Sequence, residues 1–159
     1  MENNRIKYYL ERSIALAEDN CQNHKGGPFG AIIVKNDEII AECGNSVTTT
    51  IDPTAHAEVN AIREACRKLK TFDLSDCEIY ASCQPCPMCL SAIYWARIPK
   101  VYYAADKNDA KDAGFDDSFI YEELEKEEDK RSIRIERLRL PSSSKPFIKW
   151  KSMTTKIEY

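Results

Sequence analysis

The stretch EIYASCQPCPMCLSAIYWARIPKVYYA, residues 78–104, places a cysteine-rich turn and an apolar helical segment between two short apolar segments. Residues 78–82 and 100–104 have the length and composition of buried strands, and residues 86–96 predict a helix. A helix that crosses between two strands of one sheet implies that the strands run parallel. The stretch therefore predicts an α/β fold, with functional residues near the carboxyl ends of the strands.

The segments around this unit extend the same fold. Apolar residues at helical spacing predict a first helix over about residues 4–20, and two apolar runs, 30–34 and 39–43, predict a β-hairpin. Asp52 and Pro53 predict the start of a second helix that runs to about Lys70. Residues 121–131 read as a solvated helix or loop. Residues 133–140 alternate in polarity and predict an edge strand, although the phase slips after Ile135.

Composition limits the possible classes of protein. With 159 residues, 43% of them hydrophobic and 31% charged, the chain predicts a single globular domain over residues 1–159. No apolar run reaches transmembrane length and no secretory signal is visible, so we expect no membrane partner. Seven cysteines, an odd number, fit a reducing compartment and indicate a cytoplasmic protein. A net charge of −3 without a cationic stripe argues against nucleic acid as a partner.

Two short motifs carry the chemistry. His56-Ala57-Glu58 and Pro85-Cys86-Pro87-Met88-Cys89 together form the signature of zinc-dependent deaminases. His56, Cys86 and Cys89 supply one imidazole and two thiolates, a set of three ligands that leaves one position of a tetrahedral zinc ion for a catalytic water. Glu58 stays off the metal as the proton carrier, so we predict that it is the catalytic residue.

Helical phase supports this role for Glu58. Its position coincides with an otherwise apolar stripe of the second helix, so the carboxyl group is expected to point into the core. His56 lies two residues earlier, about 200° around an ideal helix, and could not share a lateral face with Glu58. The two side chains can meet only if the metal lies in front of the helix end, where side chains lean towards the N-terminus.

Cys83 leaves a different kind of site open. Together with Cys86 and Cys89 it forms C-x-x-C-x-x-C, which also begins an iron–sulfur run, although no fourth cysteine follows at the expected spacing. If Cys83 joined the other three ligands, the result would be a closed structural zinc site without a catalytic water. A structural zinc or iron–sulfur binding module is therefore the alternative that involves no catalysis.

Beyond these motifs the chain resembles the cytidine deaminase-like superfamily and, within it, the bacterial guanine deaminases. The resemblance extends over nearly the full length of the chain, and the segments that carry it are Gly26 to Ala31, Asp52 to Val59, Pro85 to Leu90, Ala92 to Arg97, Ala113 to Tyr121 and the terminal Tyr159. The resemblance implies a three-layer α/β/α fold with a mixed five-stranded sheet and helices on both faces. It also implies a purine aminohydrolase with one zinc ion per subunit, which converts guanine into xanthine and ammonia.

The resemblance assigns further residues to the substrate. Asn45 and Asp117 would hydrogen-bond the purine base, Phe29 would stack on it, and Tyr159 would enter the active site of a partner subunit. It implies a homodimer that exchanges a C-terminal segment, residues 142–159. Gln84 departs from the family, whose members commonly carry Glu before Pro-Cys, and this leaves the fine choice of substrate open. Cytosine, guanosine and a tRNA adenosine are the alternative substrates.

Overall fold

The structure is a computed structural model that describes residues 2–159. The chain divides into two compact units, of which the first ends at Ser118 and the second spans Phe119–Tyr159. The elements of the first unit are α1 (Glu2–Gln22), β1 (Gly30–Lys35), β2 (Glu38–Gly44), α2 (Val47–Thr50), α3 (Ala57–Leu69), β3 (Glu78–Cys83), α4 (Pro87–Trp95), β4 (Lys100–Ala105) and α5 (Lys107–Asp112).

The four strands form one mixed sheet in the order β2-β1-β3-β4. β1 pairs antiparallel with both β2 and β3, and β3 pairs parallel with β4, which confirms the crossover predicted from residues 78–104. The expectation of five strands is wrong for the described residues. Residues 133–140, the predicted edge strand, are assigned to no strand. Apolar and charged side chains alternate along this segment, but it lies in the second unit and its backbone pairs with no other strand there.

Helices cover both faces of the sheet because the strand side chains alternate in direction. On one face Ile32 and Val34 of β1 pack with Tyr80 of β3 against Tyr9 of α1. On the other face Ala31 and Ile33 of β1 pack with small residues of α3, including Ala57, Ala61 and Ala65. Alanines at this interface let α3 lie close to the sheet, so the start of the helix is held next to the strand ends. The three-layer α/β/α prediction is confirmed.

The second unit is built differently from the first. It contains most of α6 (Ser118–Glu125), a 3₁₀ turn (Glu128–Lys130) and α7 (Lys145–Ser152). None of its residues is buried, and Ile133 and Leu138 are 73% and 82% exposed. Among residues 2–159, no helix has the length and apolar character needed to cross a membrane.

Candidate metal centre

His56 and Cys86 occupy the same structural position at the starts of two helices. Each is the N-cap residue of its helix, α3 or α4, with an extended backbone. α3 therefore begins at Ala57, later than the sequence predicted, because the carboxylate of Asp52 accepts hydrogen bonds from the backbone and hydroxyl of Thr54 in a local turn. As a result His56 precedes the helix, and the conflict of helical phase with Glu58 does not arise.

Three side chains converge in front of these helix starts. His56 Nδ1 lies 3.6 Å from Cys86 Sγ and 3.5 Å from Cys89 Sγ. In a tetrahedral zinc site with ordinary Zn–N and Zn–S bond lengths, a nitrogen and a sulfur ligand are about 3.6 Å apart. Within residues 2–159, these three residues form the group whose ligand atoms could share a metal ion. Their donor types and spacing fit zinc.

Glu58 lies beside this cluster without belonging to it. Its side chain projects from the first turn of α3, and the residue is only 7% exposed. The Cys89 thiol donates a hydrogen bond to Glu58 Oε2 across 3.4 Å. Burial raises the pKa of Glu58 above its ordinary value. The sequence prediction that this carboxyl group faces inward is confirmed.

The protonation of the cluster follows from its hydrogen bonds. A hydrogen bond from the Cys89 thiol stabilises the Cys86 thiolate. Together with His56 it lowers the pKa of Cys86 to about 4, although burial acts in the opposite direction. The same hydrogen bond keeps the proton on Cys89 and so raises the pKa of Cys89. The Cys86 thiolate also raises the pKa of His56. Zinc needs both thiols deprotonated, so binding of the metal displaces the proton of Cys89.

Cys83 is engaged elsewhere. Its thiol donates to the backbone carbonyl of Asp106 across 3.4 Å, and burial raises the pKa of Cys83 to about 11. A buried, protonated thiol held by another partner is a poor metal ligand. The geometry therefore favours the open set of three ligands over the closed set of four.

Asn45, predicted to contact the substrate, sits directly after β2 and is 6% exposed. Its side-chain oxygen accepts hydrogen bonds from the backbone N–H groups of Gly27 and Val47, at 3.2 Å and 3.1 Å. Both bonds require an acceptor at this end of the side chain, so they identify it as the amide oxygen and the other end as the NH2 group. The Nδ2 end is left as the donor that Asn45 can offer to a ligand.

Phe29 and Asp117 lie in the same unit as the cluster. Phe29 is half-buried and meets Phe115 edge to face, with 5.0 Å between the ring centroids. Burial and the charge of Cys86 raise the pKa of Asp117. Tyr159 belongs to the second unit, and its role in the site stays a prediction.

Sequence reasoning overlooked two buried or half-buried amides that hold this region. Asn20 of α1 donates to the carbonyls of Gly27 and Asn45, and Asn60 of α3 donates to the carbonyl of Gly44 and the hydroxyl of Ser46. The signal for Asn20 was available, because it follows Tyr9, Ser13 and Ala17 on the buried face of α1. A polar residue on that face needs buried partners.

Comparison with known proteins places this geometry among deaminases. Residues 3–105 match the family model described as "Cytidine and deoxycytidylate deaminase zinc-binding region". The chain is 52% identical to guanine deaminase of Bacillus subtilis over 151 residues, which is 95% of this chain and 97% of that protein. The X-ray structure of that guanine deaminase superposes with a TM-score of 0.94, covering 96% of this chain and 98% of the other.

Two further relatives are more distant. A tRNA-specific adenosine deaminase of Aquifex aeolicus is 49% identical over 100 residues, or 62% of this chain and 65% of that protein. The structure of NE0047 in complex with 2,6-diaminopurine is 34% identical, with a TM-score of 0.65, and covers 69% of this chain and 61% of the other. Of these three proteins, guanine deaminase of Bacillus subtilis is the one whose similarity extends through nearly the whole chain.

Proposed function

Because this chain belongs to the family of zinc-binding cytidine and deoxycytidylate deaminases, we propose that it hydrolyses guanine to xanthine and ammonia. The observation that carries the proposal is the pairing of a three-ligand cluster with a buried carboxyl group. His56, Cys86 and Cys89 offer a divalent cation three donors, and Glu58 lies within 3.4 Å of Cys89. Three ligands leave a coordination position for water, and a carboxyl group beside it can move a proton.

In this proposal His56, Cys86 and Cys89 hold one zinc ion per subunit. Zinc, when bound, lowers the pKa of water so that hydroxide forms near neutral pH. Glu58 would take one proton from the attacking water and pass it to the ring nitrogen beside the carbon that bears the amino group. It would then take the second proton from the hydroxyl group left on that carbon and pass it to the amino group, which departs as ammonia. Burial raises the pKa of Glu58, which makes it a better proton acceptor than an exposed carboxylate.

The residues around the cluster orient the base. Asn45 Nδ2 donates to an acceptor on the purine edge, since its oxygen is already occupied by Gly27 and Val47. Asp117 accepts hydrogen bonds from the side of the ring that carries the amino group, and Phe29 stacks on the ring. Tyr159 of the partner subunit closes the site.

We also propose a homodimer in which residues 142–159 are exchanged between subunits. The first unit offers an open edge on β4, because within residues 2–159 that strand pairs only with β3. It also offers two shallow grooves beside α1 and β4, of about 540 and 390 Å³, where Ile14 and Ala104 line both. The exchanged segment carries exposed apolar residues, such as Phe147 and Ile148, that a partner subunit would cover.

A panel of substrates tests the choice of guanine. Ammonia release is measured from guanine, cytosine, guanosine, adenine and a tRNA anticodon arm, with the zinc-loaded protein. We expect release from guanine in large excess over the others. Release confined to the tRNA substrate would replace guanine with the activity of the more distant relatives, and release confined to guanosine would place the sugar in the site.

The variant Glu58→Gln tests the chemical assignment. It keeps the size of the side chain and removes its capacity to carry a proton, so kcat should fall by about 10²- to 10⁴-fold. Zinc content, measured by elemental analysis, should stay at one ion per chain. Glu64→Gln is the control on the same helix, because Glu64 pairs with Arg67 on the surface and should leave turnover unchanged. A zinc-replete Glu58→Gln variant with wild-type turnover would contradict the assignment.

The cytoplasm is the compartment we propose for this activity. All seven cysteines are free thiols, and two of them must remain reduced to bind zinc.

A further inference from the structure

Asn20 makes a side-chain contact that links two distant segments of the chain. It lies near the end of α1 and is 4% exposed. Its Nδ2 group donates to the carbonyl of Gly27 across 2.8 Å and to the carbonyl of Asn45 across 2.7 Å. A side-chain amide has two N–H donors, so Asn20 can satisfy both carbonyls at once.

These two carbonyls belong to residues that shape the wall of the proposed purine site. The backbone N–H of Gly27 donates to Asn45 Oδ1, and the backbone N–H of Asn45 donates to the carbonyl of Phe29 across 3.0 Å. Asn20 therefore closes a ring of hydrogen bonds that sets the position of Asn45 relative to the Gly27–Phe29 loop. Without its two donors, the carbonyls of Gly27 and Asn45 would no longer be tied to α1.

The surrounding chain is shaped to admit the Asn20 side chain. A Cβ atom on Gly44 would lie 2.4 Å from Asn20 Oδ1 and 2.8 Å from Asn20 Cγ, so a larger residue at position 44 would clash with the amide. From the opposite side, Asn60 Nδ2 donates to the carbonyl of Gly44 and to Ser46 Oγ, each at 3.0 Å. The turn that carries Asn45 is thus held by amides from two helices.

We propose that Asn20 is a positioning residue for substrate recognition, acting through Asn45. The proposal rests on the proposed function, in which Asn45 donates to the purine edge. Asn20 itself lies behind Asn45 on the α1 side. Its effect on catalysis is the accuracy with which it places the Asn45 donor.

Two variants test this role. Asn20→Ala removes both donors, and Asn20→Asp keeps the shape but places carboxylate oxygens against two carbonyls. Misplacing a substrate-orienting group by 1 Å can cost up to about 100-fold. We expect kcat/KM for guanine to fall about 10-fold in Asn20→Ala and further in Asn20→Asp, with zinc still at one ion per chain. If Asn20→Asp does not fold, Asn20→Ala carries the test.

Ser13→Ala is the matched control for loss of stability. Ser13 is also buried on α1, but its hydroxyl donates to the Leu10 carbonyl within the helix, so kcat/KM should stay within about two-fold of wild type. Thermal unfolding of both variants shows whether similar losses of stability have different effects on kinetics. Wild-type kcat/KM in a folded, zinc-replete Asn20→Ala variant would overturn the proposal.

A double-mutant cycle separates positioning from a general structural effect. If Asn20 acts through Asn45, the penalty of Asn20→Ala should shrink to less than about three-fold in an Asn45→Ala background. An undiminished penalty in that background would overturn the proposal. Wild-type turnover is measured first: absence of ammonia from guanine refutes the proposed function, and the same cycle is then measured on the base that the wild-type protein does deaminate.

Discussion

Gly26 offers a sharp test of how the proposed substrate wall is held. A Cβ atom at this position would lie 2.1 Å from the backbone oxygen of Asn45 and 2.9 Å from Asn45 Oδ1. The first distance falls 1.3 Å short of the 3.4 Å at which ordinary contact begins. The obstacle is backbone, so Gly26→Ala must move Asn45 and the loop apart by about 1 Å. Such overpacking typically costs about 1–3 kcal/mol of stability.

The kinetic consequence follows from the position of Asn45. A displacement of about 1 Å in a substrate-orienting group can reduce activity by up to about 100-fold. We therefore expect kcat/KM for guanine to fall by about 10- to 100-fold in Gly26→Ala. The zinc ligands lie on other segments, so zinc content should not change. Steady-state ammonia release and elemental analysis on the same preparation measure both quantities.

The adjacent residue, Gly27, provides the matched control. A Cβ atom there would meet the Phe29 ring at 3.3 Å and Asn45 Cγ at 3.6 Å, contacts that a small movement of the ring relieves. Gly27→Ala should therefore lose much less activity than Gly26→Ala. Equal kcat/KM in the two variants, or an unchanged Gly26→Ala enzyme, would refute the argument that Asn45 is placed by close approach to Gly26.

Three further outcomes are expected. Burial raises the pKa of Glu78, but hydrogen bonds from Tyr80, Arg5 and Lys100 outweigh it and bring the pKa to about 2. The ionised Glu78 therefore stabilises the fold above its ordinary pKa, and this stabilisation is lost as the pH falls towards 2. The difference in unfolding free energy between wild type and Glu78→Gln, measured by urea unfolding, should shrink by about 2 kcal/mol between pH 7 and pH 3. A gap that is constant with pH would contradict this assignment. Removal of zinc by a chelator should abolish turnover, and added Zn²⁺ should restore it. The proposed homodimer predicts that Phe147→Glu shifts the protein towards monomer in analytical ultracentrifugation, since a charge would replace an apolar side chain of the exchanged segment; an unchanged sedimentation coefficient would contradict that role of Phe147.

The fold was largely predictable because its signals are local. The apolar runs at residues 30–34 and 78–82, and the helix between two strands, specify a layered α/β arrangement through periodicity alone. The prediction of an edge strand over residues 133–140 was wrong. Its alternation is a local signal, but a strand also needs a neighbouring backbone, and in this chain the segment lies in the second unit without one.

The site was predictable to the extent that it depends on residue types at short spacing. His56, Glu58, Cys86 and Cys89 follow from the motif, and the burial of Glu58 follows from helical phase. The start of α3 was placed too early, because an Asp-Pro-Thr sequence suits a helix N-cap and a local turn equally well, and the structure forms the turn. Asn20 could not be assigned a partner, since its two acceptors belong to segments that only the fold brings together.

The shared position of His56 and Cys86 at helix starts also explains how a buried site tolerates so much negative charge. With zinc bound, two thiolates and the carboxylate of Glu58 carry three negative charges against the two positive charges of the ion. The N-terminal ends of α3 and α4 meet here, and each contributes about half a positive charge. The sum is close to zero. An uncharged purine base leaves this balance among the three side chains, the ion and the two helix ends unchanged when it enters.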